Sequence, residues 1–499
     1  MTAESTVKHE ISFSSERRLL FDFGTRVRAT VLTLEGLAKQ VRRAGWFLAI
    51  SLLCLETFVT AQTTRPEGHR PCEIRSTVFE GWSAEQMSNE WLQLTIEPQL
   101  GGRLMQVTFA GHAYLFVNPK YKGKYFPPSA ANGKWFNYGG DKIWPLPEGK
   151  DDGQHWPGPI ADELDDGEYQ LKIISQGTTC RVRLDGPAEM RSGLQYSREI
   201  TIGANSPEIS FRSIMKNAVS RTIRWSVQTV TQYDTADRAN PQEYNRDFWA
   251  LAPLNPKSAY FNGYQVRAGL ADDPSFSTDG GMFHLHWLYL ENEVWLDSTA
   301  GWLAVDDAVN QYAMVQRFHP QQRAEYPGKA SLIFYKNGAA VSLDATGKPV
   351  LRDATPDEAP YYMEAEVNSP MAELKPGETY EMQTNWFPTR IAGRITNVSD
   401  AGVIAGPITA SATFDGVIIS ASIGVFFPGK LVAHFEDGTG TEIKSSDLIS
   451  VIPQNPVALR QAIKMHGTPK RVAIHLVDEE GQDRGSVGEA EIQPGARNF

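Results

Sequence analysis

The chain has 499 residues, 41% hydrophobic and 10% aromatic, long enough for about two or three domains and too apolar for global disorder. Its formal net charge of −11 argues against nucleic acid or anionic lipid as the main partner. With 42 glycines, 30 prolines and few helical periodicities, it reads as a β-rich protein.

The first predicted element is a targeting segment. Arg42 and Arg43 precede the apolar run AGWFLAISLLCL (44–55), and Val59 and Ala61 hold the small-residue positions of a cleavage site before Gln62. Residues 1–61 therefore read as an N-terminal extension and signal peptide, which predicts an exported protein, periplasmic or extracellular in a bacterium. The run is short for a membrane span, and an anchor retained over 44–60 is the alternative. Leu53 stands where a lipoprotein signal needs a small residue, so Cys54 is not read as a lipidation site. Cys72 and Cys180 remain, either as one disulfide or as two separate buried thiols.

From about residue 78 the sequence alternates between apolar and polar. WLQLTIEP (91–98), GRLMQVTFAG (102–111), CRVRLDGP (180–187), LQYSREITIG (194–203) and TIRWSVQTVTQY (222–233) all read as strands, as do GMFHLHWLYL (281–290), ASLIFYKN (330–337), YYMEAEVN (361–368) and YEMQTNWFP (380–388). So many antiparallel strands predict a large two-sheet sandwich over 75–390. The stretch 118–168 shows no strand pattern. It is rich in Gly, Pro, Asp, Trp and Tyr, and reads as a long functional loop. Past Arg390 the aromatics thin out. GVIISASIG (416–424), KLVAHFE (430–436) and RVAIHLVD (471–478) predict a small immunoglobulin-like sandwich over 391–499. PVALRQAIKM (456–465) fits a short helix or a strand.

Few standard motifs survive inspection. GVFFPGKL (424–431) begins like a phosphate-binding loop, but Leu431 stands where Ser or Thr would bind Mg²⁺, and the stretch lies between strands. G-x-S-x-G, H-E-x-x-H and C-x-x-C are absent. No metal or cofactor is called for. His284 and His286 flank Leu285 on one strand and share a face. Glu364 and Glu366 do the same, and two adjacent carboxylates raise each other's pKa when partly buried, which suits a general base or a sugar-hydroxyl acceptor. In NYGGDKIWPLPEG (137–149), Gly139 and Gly140 allow a tight positive-φ turn. There Asp141 and Lys142 offer polar partners. Trp144, with Trp135 and Trp156 nearby, offers flat apolar faces. Flat faces beside charged hydrogen-bonding groups are how proteins hold sugars. Arg103, after a Gly pair, is a further candidate for the cleft or for pairing with a structural carboxylate.

Several stretches resemble the DUF4380 family: WFNYGGDKIWPLPEG (135–149), HWPGP (155–159), GGRLMQV (101–107), MKNAVSRTIRWSVQTVTQ (215–232) and AELKPGETYEMQTNWF (372–387). The resemblance implies a distant relative of the aldose 1-epimerases, with a galactose mutarotase-like β-supersandwich over roughly 75–390. Hexose-6-phosphate mutarotases carry a GG-x-P-x-x-WP stretch and a following His, to which Gly139, Gly140, Trp144, Pro145 and His155 are similar. The superfamily's catalytic Glu precedes an L-x-PGE segment, a place that Glu364 or Glu366 fits ahead of 374–378. Its catalytic His is replaced here by Gln228 or a neighbour. Ring opening needs a base and an acid, and Gln cannot be the acid, so His284, His286 or Lys142 would have to substitute. The expected function is saccharide binding in a concave cleft. The substrate-binding set is Asp141, Lys142, Trp144, Trp135, Trp156, His155, Arg103, Gln228 and His286, and the catalytic candidates are Glu366, Glu364 and His284. The alternatives are a mutarotase with an atypical acid, a lyase-like glycan-processing enzyme, and an envelope assembly protein.

Overall fold

A computed structural model describes residues 70–494 except 151, 344–348, 353–354 and 356. The predicted signal segment and the cleavage site lie outside the described residues. Among the described residues, no helix is long and apolar enough to cross a membrane.

Nearly every ordered element is a strand. A twelve-stranded antiparallel sheet carries, side by side, Arg103–Phe109, Asp141–Leu146, Ile223–Asp234, Tyr362–Asn368, Leu332–Lys336 and Asn292–Leu296. A ten-stranded sheet, which includes Thr179–Glu189, Leu194–Gly203, Met282–His286, Trp302–Asp307 and Thr379–Arg390, packs against it. The period of two puts Val107, Val227, Met363, Ala365 and Val367 of the first sheet and Val182, Ile200, Leu285, Leu303 and Val305 of the second into one core. Each buried Val, Leu, Ile or Met among them contributes roughly 1.5–3 kcal/mol.

Trp302–Asp307 is buried at every position because its sheet is covered on both faces. Leu303 and Val305 join the first core, whereas Trp302 and Ala304 join a second one with Phe387, Ile391, Ile419, Leu431 and Ile474. That second core belongs to the nine strands of the C-terminal part, in which Thr409–Ala412 pairs in parallel with Asp483–Gln493 and so joins its two halves. Val457–Lys464, open to either reading in the sequence, is a strand. Cys72 and Cys180 form a disulfide, with Cα atoms 5.8 Å apart, between the edge of the first sheet and a strand of the second.

The stretch 118–168 departs from expectation. It is not loop throughout: Asp141–Leu146 is a strand near the middle of the twelve-stranded sheet. Its proline hid it. Pro145 is tolerated because on one side only Asp141 pairs, with Leu104, so that edge of the strand is open beyond Asp141. Gly139 and Gly140 turn the chain into this strand at φ 97° and 76°. A Cβ on Gly139 would lie 2.1 Å from the Phe116 carbonyl oxygen, so glycine is required there.

Candidate functional site

Strand register gathers the site. Lys142 lies opposite Val230, Trp144 opposite Gln228, Glu366 opposite Val230 and Glu364 opposite Gln232. Glu364 is in turn opposite Tyr335, which is opposite Glu293. These residues share the face of the twelve-stranded sheet turned away from the sandwich core. The 118–168 stretch folds over that face and leaves a cavity of about 200 Å³. Its floor is Trp144, Gln228, Glu293, Tyr335, Glu364 and Glu366, and Tyr362, Trp135, Glu148 and Pro159 complete the wall.

Two indoles are fixed by one carboxylate. Trp144 Nε1 donates to Asp165 Oδ1 at 2.6 Å and Trp135 Nε1 to Asp165 Oδ2 at 2.8 Å. Arg103 Nη2 donates to the same Asp165 Oδ1 at 2.8 Å and to Asp166 at 3.2 Å, and both arginine and aspartates are fully buried. Arg103 thus anchors the covering stretch beneath the site rather than reaching into the cavity.

Lys142 is buried with its ammonium 4.3 Å from the Trp144 ring centre, 5.6 Å from that of Trp135 and 3.8 Å from Glu364 Oε1. Its Nζ has no hydrogen-bond partner. Burial pulls its pKa down, against the opposing pull of Glu364. Gln228 donates to Glu366, and Gln232 Nε2 donates to Glu364 Oε1 at 2.6 Å. Burial, reinforced by Glu364, Glu293 and Glu148, raises the Glu366 carboxyl well above its ordinary range. Burial also pushes Glu148 up to about 8, and raises Glu293.

The Glu148 shift has a testable sign. The folded chain holds a proton that the unfolded chain gives up near 4.5, so stability present below that pH is lost as pH rises through about 8. The urea midpoint should therefore fall between about pH 5 and 8. Glu148→Gln should flatten that fall by at least about 1 kcal/mol. An unchanged slope in the variant would exclude Glu148 as a source.

The structure brings Glu364, Glu366, Gln228, Trp135 and Trp144 to the cavity, with Lys142 beside it, and removes other predicted residues. Asp141 points to the opposite face from Lys142, as successive strand residues must. There it ion-pairs with Arg198 and accepts from Thr231 Oγ1 at 2.7 Å, so it does not serve the cavity. Trp156 packs behind Trp144, ring centres 5.0 Å apart, and donates to Asp162 at 2.6 Å. His155 is held by Asp152 in a partly exposed turn outside the cavity lining. His284 and His286 do share a face, but it belongs to the other sheet. Their neighbours Phe283 and Leu285 fill the first core and Met282 the second, so the two histidines are turned away from the cavity. His286 stacks on Trp249 at 4.2 Å and bonds the Arg246 carbonyl. Among the described residues, no group of His, Cys, Asp and Glu is arranged to hold a metal ion.

Sequence reasoning missed Glu148, Glu293, Tyr335, Tyr362, Gln232 and Asp165. The alternation in NEVWL (292–296) was a usable signal for Glu293. Glu148 sits within the motif already singled out, and Asp165 within the 118–168 stretch read as a functional loop.

No family model matches the chain, and no curated protein matches it. The DUF4380 resemblance therefore stands on its motifs alone. Several solved structures match over 64% of this chain. A TPR-domain containing protein from Parabacteroides distasonis is 15% identical with a TM-score of 0.40, and this chain covers 53% of it, about half its length. A galactose mutarotase-like protein from Clostridium acetobutylicum is 11% identical, TM-score 0.39, and is covered over 99% of its length. A galactose 1-epimerase from Lactobacillus acidophilus is also 11% identical, TM-score 0.36, and covered over 99%. None of these likenesses bears on this chain's chemistry.

Proposed function

We propose that this chain is an exported saccharide-binding protein and that the cavity beneath Trp135 is its binding site. One observation carries the reading: two indoles fixed by Asp165 stand beside carboxylates and the Gln228 amide. That combination stacks on the C–H faces of a sugar ring and bonds its hydroxyls. The volume of about 200 Å³ lies below the ~300–1,000 Å³ of sites for drug-sized ligands and suits a single ring. The signal-like layout of 42–61 supports export.

Mutarotation is the second reading, favoured by the Lys142 ammonium, which makes no hydrogen bond and lies 3.8 Å from Glu364. Glu364 or Glu366 would take the anomeric proton, and Lys142 would protonate the ring oxygen in place of an imidazole. Ligand line broadening and magnetisation exchange against free sugars test both readings on the purified protein. Binding weakened about tenfold by Trp135→Ala supports the proposal. Exchange between anomers, lost in Glu366→Gln, adds the chemistry. Binding that Trp135→Ala leaves unchanged rejects this cavity as the site.

A further inference from the structure

We infer that the ligand of this cavity carries a protonated amine, so that the sugar is a hexosamine rather than a neutral or acidic hexose. The inference rests on the saccharide reading above. Its first basis is charge. Four carboxyl side chains, Glu148, Glu293, Glu364 and Glu366, line one small cavity. The resident cation is Lys142, which lies nearest Glu364. Arg267 sits over the Trp295 ring at 4.3 Å. Acidic capacity is in surplus, and a uronate or phosphate would add to it.

The second basis is independent of charge. Gln228, in the cavity floor, is 3% exposed, yet its Oε1 has no hydrogen-bond partner. Glu148 Oε2 is likewise buried and unpartnered. Buried polar atoms without partners are costly, so these acceptors are built to receive donors. An ammonium brings three donors and no acceptor. Trp135, Trp144, Tyr335 and Tyr362 also line the cavity, and aromatic rings of this kind attract cations, as Trp144 does Lys142. In the empty site, burial raises the Glu366 and Glu148 carboxyls and so favours their protonated forms. An arriving ammonium favours their ionised forms, so protons leave to solvent as it binds.

Calorimetry on the purified protein tests this. The probes are glucosamine, galactosamine and mannosamine, their parent hexoses, their N-acetyl forms and glucuronate, each in two buffers of different protonation enthalpy. One hexosamine should bind about tenfold or more tightly than its parent hexose and its N-acetyl form, as a charged hydrogen bond implies. Its binding should release protons where the hexose releases none. Glu148→Gln, shown folded by thermal unfolding, should narrow the preference. A hexose bound as tightly as the matching hexosamine, or glucuronate bound more tightly than either, overturns the inference and leaves the saccharide reading standing. Binding of no sugar in the panel overturns the saccharide reading and this inference with it.

Discussion

Asp165→Ala should lower the stability of the protein by about 3–5 kcal/mol, the cost of leaving two indole N–H groups without an acceptor and the buried Arg103 with one carboxylate in place of two. Asp165 takes hydrogen bonds from Arg103, Trp135 and Trp144 at once. Without it the fully buried Arg103 keeps Asp166 and two backbone carbonyls, and both indole N–H groups lose their acceptor. The covering stretch then loses part of its attachment to the sheet, so sugar binding should fall with stability. Asp165→Asn keeps the volume and one carbonyl acceptor and should cost less. The urea midpoint at constant m value measures both variants. A loss under about 1 kcal/mol in Asp165→Ala would show that the indoles are held by packing alone.

A comparable loss is expected for Arg198→Ala, for a different reason. Arg198, on Leu194–Gly203 of the ten-stranded sheet, reaches across the core to ion-pair with Asp141 on the twelve-stranded sheet, and both side chains are buried. Truncating it leaves the Asp141 carboxylate with Thr231 and no cation, again about 3–5 kcal/mol. It also removes the contact of the guanidinium with Phe211, 4.5 Å from its ring centre. The double change Arg198→Met with Asp141→Leu should recover much of the loss, because it removes both charges together. A double-mutant cycle by chemical denaturation reads the coupling. Additive losses would mean that Arg198 acts through packing on Phe211 rather than through Asp141.

This ion pair also shows what the sequence could and could not reveal. Alternation identified the strands, their all-β class and the same-face pairing of Glu364 with Glu366, because a period of two is a local property. It could not say which face is the core. His284 and His286 share a face as expected, but that face belongs to the second sheet and is turned away from the cavity. On a loop, Asp141 and Lys142 read as a pair. Once it is a strand, adjacent residues must point to opposite sides, and only Lys142 can face the cavity side. Trp135, Trp144 and Gln228 were legible as aromatic and polar groups at a marked motif. Glu293 and Tyr335 were not, because cross-strand register brings them in from strands distant in sequence.

The central claim is that a sugar ring occupies the cavity beneath Trp135. A crystal structure of the protein with the tightest-binding sugar of the panel tests it most directly. A single ring is expected against Trp135, with its polar groups within hydrogen-bond reach of Gln228, Glu364 and Glu366. A ring bound elsewhere, for example in the open groove of the C-terminal part lined by Lys430, Ile449 and Asn455, with this cavity empty at saturating sugar, would contradict it.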